Sequence, residues 1–254
     1  MPIELMREVA THLEGAELVR FTTLSKETYH GLASERQREH AIRHARRALR
    51  PEDVRNVLVS IQNLEPVYRS SPLTALANQF VWLPLDRLRP AFAEFVTTTG
   101  DFPVEYRAMS LQALARRIAD LPDIHRMGAF TEVLGATGDL PVDYRARPLE
   151  ALANRISHFQ GEAQQIAFTG VLAATGHLPA QRRALSLAGL ARKIALLTDT
   201  RRQAAFAGVL AETGRLPAEY REAPLIVLAA AIAALPHEQQ PAARSRLNEA
   251  AQQR

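Results

Sequence analysis

The 254-residue chain contains no cysteine, which excludes a disulfide scaffold, a cysteine zinc site and a thiol nucleophile, and which fits an intracellular place of work. Long apolar runs are missing too. The longest uncharged one, Leu225 to Leu235, is far short of the roughly 20 residues that cross a bilayer, so it reads as a buried helix and no membrane partner is expected. The first residues lack the order of a secretory signal. Glycine-rich phosphate loops, local Ser/His/Asp patterns and recurring paired carboxylates are absent as well. The eight histidines are scattered; His40 and His44 stand one helical turn apart, but no third ligand is placed beside them, so they read as surface residues and not as a metal site. These absences predict a non-catalytic chain with no metal and no cofactor, one that binds and positions other molecules.

What is present is a repeat. Phe92, Phe130, Phe168 and Phe206 are spaced by 38 residues, as are Gly100, Gly138, Gly176 and Gly214, then Pro103, Pro141, Pro179 and Pro217, and Leu73, Leu111, Leu149, Leu187 and Leu225. Self-similarity at one period without slippage marks stacked supersecondary units. Each copy reads as two helices. Leu149, Leu152, Ala153, Ile156 and Phe159 share a face of the first, which is expected to start near Ser110, Pro148, Ser186 or Pro224 as N-cap or first-turn residues. Ala129, Phe130, Val133, Leu134 and Thr137 make the buried stripe of the second, where Gly138 is expected as a left-handed C-terminal cap. Small residues on that helix in later copies, such as Gly170 and Gly208, imply close neighbours. Tyr68-Arg69, Tyr106-Arg107, Tyr144-Arg145 and Tyr220-Arg221 recur in the loops, with Arg182-Arg183 in the odd copy; the tyrosine rings are expected to pack over the joints and the arginines to bond helix C-terminal carbonyls, the alternative being a ladder that binds the target.

The expected fold is all-α: a three-helix module over residues 1–35, a charged linking helix over 36–53, and a right-handed α-solenoid of 38-residue helix hairpins over 54–254. Within the solenoid the spacing gives a half repeat at 54–71, full repeats at 72–109, 110–147, 148–185 and 186–223, and a terminal cap at 224–254. Arg244 and Asn248 replace apolar column residues in that cap, as the end of a solenoid requires, and the last residues from Ala250 are expected to fray.

The N-terminal segment carries Pro2, Ile3, Glu4 and Leu5, then Val9, Leu13, Leu18, Phe21, Leu24, Ser25, Lys26 and Tyr29. In this order it resembles the F-box, the adaptor module that binds Skp1 in cullin-based ubiquitin ligases, with Met1 where the motif has its opening leucine. The resemblance covers about one seventh of the chain. It implies a Skp1-family partner held by Pro2, Ile3, Leu5, Val9, Leu13, Leu18, Phe21, Leu24 and Lys26, with Pro2, Ile3, Leu5, Val9, Leu18 and Leu24 in an apolar patch left open when the module packs on the repeats. An F-box followed by tandem helical repeats is similar to the type III effectors that plant-pathogenic bacteria inject into host cells, which implies a secreted bacterial protein acting in host cytoplasm or nucleus. Only Lys26 and Lys193 are lysines; every other cation of a chain of net charge +4 is arginine. A G- and C-rich coding sequence explains that bias, and so does work beside ubiquitin ligases.

For the target, the columns facing away from the apolar stripe contain Asn78, Arg116, Asn154, Arg192 and then Gln79, Arg117, Arg155, Lys193. Stacked copies would align them into a positive ridge suited to an acidic protein. Trp82 occupies a column where other copies have Asp120, His158 and Leu196, so it serves either as a binding anchor or as packing on the linking helix. Two other readings stand beside the adaptor. One is a nucleic-acid-binding repeat, against which speak columns with little to stack on a base; the other is a plain interaction scaffold.

Overall fold

The computed structural model describes residues 33–48 and 50–252, together with 8, 9, 11–15, 17 and 18. Every regular element among them is helical. Twelve α-helices follow in order: α1 (Ala33–Ala45), α2 (Pro51–Gln62), α3 (Ser70–Gln79), α4 (Leu85–Thr99), α5 (Val104–Arg117), α6 (Asp123–Gly138), α7 (Val142–Ala153), α8 (Gly161–Thr175), α9 (Ala180–Ala191), α10 (Asp199–Gly214), α11 (Glu222–Ala231) and α12 (Gln240–Gln252). The chain divides into two compact units, Met1–Ala113 and Leu114–Arg254. In the first, α1 packs on α3 and α2 on α4. In the second, α6 packs on α8 and α8 on α10, while α7 packs on α9 and α9 on α11. Helices at equivalent places of successive copies thus lie side by side within a unit.

The columns read from the sequence form the core. Phe92, Phe130, Phe168 and Phe206 are all buried, and so are Leu73, Leu111, Leu149 and Leu187. Leu225, the last of its column, is half-buried. Thr99, Thr137 and Thr213 are buried at the last or next-to-last residue of their helices and turn their hydroxyls back onto the carbonyls of Phe95, Val133 and Val209, four residues earlier, at 2.7–2.8 Å. A buried hydroxyl is in this way satisfied without a partner from outside the helix. The close neighbours expected at the small residues are found. A methyl group on Gly170 would come within 2.8 Å of Leu134 Cδ2, and one on Gly208 within 3.0 Å of Leu172 Cδ2, so α8 and α10 meet their predecessors almost backbone to side chain.

Three expectations about helix ends are corrected. The first helix of a hairpin begins directly after Pro103, Pro141 or Pro179; Ser110, Pro148 and Ser186 lie inside α5, α7 and α9 and cap nothing. The boundaries at 109/110, 147/148 and 185/186 therefore fall within helices, and the hairpins run from about one proline of the column to the next. Ile156 belongs to a separate 3-10 turn, Ile156–His158, with Phe159 extended behind it. The glycine column is not left-handed either: Gly138 and Gly214 end their helices, Gly100 and Gly176 follow with φ near −55°, and positive φ occurs among the described glycines only at Gly15 and Gly161. The proline three residues after each glycine terminates these helices, because a residue before proline is forced out of the helical region.

In the N-terminal part, Glu8, Val9 and Thr11 are helical, and Gly15 with φ 53° gives the expected break. Most of the expected three-helix module lies outside the described residues. The linking helix is shorter than expected: α1 stops at Ala45, and α2 starts at Pro51 with Val54, Val57 and Leu58 buried. Arg55 of α2 donates from Nε and Nη2 to Glu94 of α4 at 2.5 and 2.9 Å. That bond, helped by Thr98, outweighs desolvation and holds the Glu94 carboxyl below the usual carboxylate range. The contact is formed at neutral pH and is lost as the pH falls through that lowered value. At the other end α12 buries Ala243 and Leu247 while exposing Arg244 and Asn248, and it continues to Gln252 where fraying was expected.

Phe130→Ala and Phe168→Ala should each cost about 3–5 kcal/mol of unfolding free energy, the range for large-to-small core changes. Urea denaturation checks this, and a loss below 1 kcal/mol would contradict the burial seen.

Candidate functional site

Arginines dominate the polar surface, and the structure sorts them by what their guanidinium groups reach. One class is structural. The Nε of Arg69, Arg145 and Arg221 donates to the carbonyls of Leu64, Leu140 and Leu216, five residues back, at 2.6–2.9 Å. Arg126 and Arg202 do the same to Leu121 and Leu197 at 2.7 and 2.8 Å. The outer nitrogens extend the reach: Arg202 also bonds Ala195 at 3.2 Å and Ala234 of the following copy at 2.8 Å. Arg126 reaches His158 at 3.4 Å, and Arg183 reaches Gly176 and Arg215 at 3.1 and 3.3 Å. These carbonyls sit at helix ends, where no intrahelical donor remains.

The expectation that the Tyr-Arg arginines bond terminal carbonyls therefore holds for Arg69, Arg145 and Arg221. Around them Tyr106 donates to the Pro66 carbonyl at 2.6 Å under the Arg69 guanidinium, and Tyr68 donates to the buried Glu35 at 2.7 Å. The second set, Arg126 and Arg202, was legible as a 38-residue column, Arg126, Gln164, Arg202, Gln240, in which the glutamines also reach back, to Ile156 and Leu235. A search for apolar columns passes over it because polar residues at one register are usually solvated.

The other class faces solvent. Arg116 and Arg192, with Asn154 between them in sequence, are exposed; Arg117, Arg155 and Lys193 are half-buried. Arg117 is paired with Asp120 at 3.1 Å, an exposed contact of little energetic weight. Arg155, Arg192 and Lys193 follow the C-terminal ends of α7 and α9, which pack together, so cations there are favoured by the helix dipole whatever else they do. Of the two expected columns, the one through Arg116 and Arg192 is open to a partner, and the one through Arg117, Arg155 and Lys193 is partly withdrawn.

Trp82 lies in the first unit, in a 3-10 turn, Phe80–Trp82, and keeps 74% of its surface exposed. It is not a core residue. Of the expected Skp1-binding residues, Pro2, Ile3, Leu5, Phe21, Leu24 and Lys26 lie outside the described residues. Val9 and Leu13 are half-buried. Leu18, expected in an open apolar patch, is instead 1% exposed. It lines a cleft shared with Ala33 and Ala41 of α1, so it is part of the packing of the first unit.

The remaining chemistry is sparse. The His40 and His44 rings are 4.1 Å apart on exposed α1 positions, and desolvation, with the charges of His44 and Arg43, lowers the His40 pKa. No group of three metal-ligating side chains occurs among the described residues, and no described helix is long and apolar enough to cross a membrane.

Arg202→Ala should cost about 1–3 kcal/mol, since it leaves carbonyls of two copies unsatisfied. Arg202→Lys should not restore the loss, because an ammonium cannot span three acceptors as a planar fork does. Arg192→Ala should change stability by less than about 0.5 kcal/mol, as exposed substitutions do. Thermal and urea unfolding of the three variants check the division into structural and free arginines.

Compared with known proteins, the chain matches no family model, no curated sequence and no solved structure.

Proposed function

We propose that the chain is an F-box-type substrate adaptor, with Skp1 held by the N-terminal segment and a target protein held by the helical repeats, acting as a bacterial effector inside a host cell. The observation that carries the reading is the ordered run Pro2, Glu4, Leu5, Val9, Leu13, Leu18, Phe21, Leu24, Lys26 and Tyr29 placed before a helical array. An adaptor of this kind contributes no chemistry. It raises the effective concentration of target lysines near a charged conjugating enzyme. The repeats are read as a right-handed solenoid, which offers an extended surface of aligned columns. The exposed column through Arg116 and Arg192 suits an acidic target, and exposed Trp82 suits an aromatic anchor.

Two double variants separate the halves of this reading. Pro2→Ala with Ile3→Ala should abolish capture of purified Skp1 while the unfolding transition of the repeats stays in place; retained capture would refute the F-box assignment. Arg116→Glu with Arg192→Glu should weaken target capture from host extract, and weaken it more at low salt than at high salt, while leaving Skp1 capture intact. Unchanged target capture would move docking to another face. A salt-dependent gel shift with single-stranded RNA would favour the nucleic-acid reading instead.

A further inference from the structure

We infer that the outer face of α9 and α11 is a second docking groove, and that it takes an amphipathic helix carrying apolar side chains flanked by arginine or lysine. A groove of about 300 Å³ opens between these helices, lined among others by Leu185, Tyr220, Glu222 and Ile226. Leu185 and Ile226 are 59% and 63% exposed. The groove continues past Glu222 and Ile226 toward Ala250 and Ala251 of α12.

The repeat itself does not ask for these side chains. At the register of Leu185 the other copies place Ser71, Met109, Arg147 and Ala223, and at that of Ile226 they place Thr74, Gln112, Glu150 and Ala188. The register of Glu222 holds Ser70, Ala108, Ala146 and Ala184 elsewhere. Two neighbouring helices have therefore departed from the common pattern in a concerted way, toward large apolar groups and a carboxylate. Exposed apolar groups gathered beside a groove, unlike single ones, mark interaction sites.

The charge of the rim selects the occupant. Glu219 and Glu222 line the groove and form no hydrogen bond or ion pair with any described residue, whereas Asp120, Asp123, Asp199 and Glu212 of the same unit are all engaged by nearby arginines. The lone cation at the continuation, Arg221, has its Nε committed to the Leu216 carbonyl. Free carboxylates around an apolar trough complement basic residues around apolar anchors, the arrangement of a helix laid in a groove. This surface is acidic where the column through Arg116 and Arg192 is basic, and the inference does not depend on the Skp1 reading.

The test uses the full chain and three fluorescein-labelled 16-residue peptides: an amphipathic leucine/arginine helix, the same helix with glutamate for arginine, and a scrambled leucine/arginine peptide. Fluorescence anisotropy should show the first binding at least tenfold more tightly than the other two. Ile226→Glu and Leu185→Ser, both at exposed positions, should each weaken it at least tenfold without moving the unfolding temperature. Glu219→Gln with Glu222→Gln should erase the preference for arginine over glutamate. Equal binding of all three peptides, or binding indifferent to Ile226→Glu, would overturn the proposal. So would concentration-dependent dimerisation in sedimentation velocity that Ile226→Glu abolishes, since the groove would then be filled by a second copy of this chain.

Discussion

Carbonyl groups at helix ends are the constraint that shapes this protein. A chain of short helices generates such ends twice in every 38 residues, and each end leaves up to four carbonyls without an intrahelical donor. Here the answer is a side chain that reaches backwards: arginine at 69, 126, 145, 202 and 221, glutamine at 164 and 240. Six of the seven bonds go to the carbonyl of a leucine that stands in an extended or turn conformation before the next helix. With its donors fixed in a plane, guanidinium can close one helix end and touch the next copy at once, as Arg202 does. Six arginines, at 69, 126, 145, 183, 202 and 221, are held by this work.

The apolar columns were legible because burial leaves a periodic trace: phenylalanine and leucine at one register in every copy can only mean one repeated core. The errors came where two mechanisms write the same letter. Glycine before a proline suggests a left-handed cap, yet Gly138 ends its helix with ordinary geometry and Pro141 does the terminating. Pro148 suggests a first turn, yet α7 carries it seven residues in. A proline inside a helix forfeits one backbone bond, a loss the surrounding packing of buried Leu149 and Leu152 offsets. Leu18 was misplaced for a different reason: a motif says which residues are apolar but not which of them the rest of the chain will cover.

On the adaptor reading, the division of labour is between a short N-terminal segment that sets the machinery and a long array that sets the target. The array has surfaces of opposite character. Arg116 and Arg192 form part of a basic column, whereas Leu185, Glu222 and Ile226 form an apolar, acidic-rimmed groove. Neither is required by the buried columns, and both arise where the copies differ from one another. A repeat protein of this kind keeps its identity in what is common to the copies and its specificity in what is not.

The contact of Leu134 with Gly170 is made again by Leu172 with Gly208. A joint that recurs unchanged is indifferent to how many times it is used. Inserting one more 38-residue block between α8 and α10 would present each neighbour with the surface it already meets, whereas inserting a single residue would shift every column and strand the arginine forks away from their carbonyls. Gene duplication in whole blocks is therefore the tolerated route of length change for this chain.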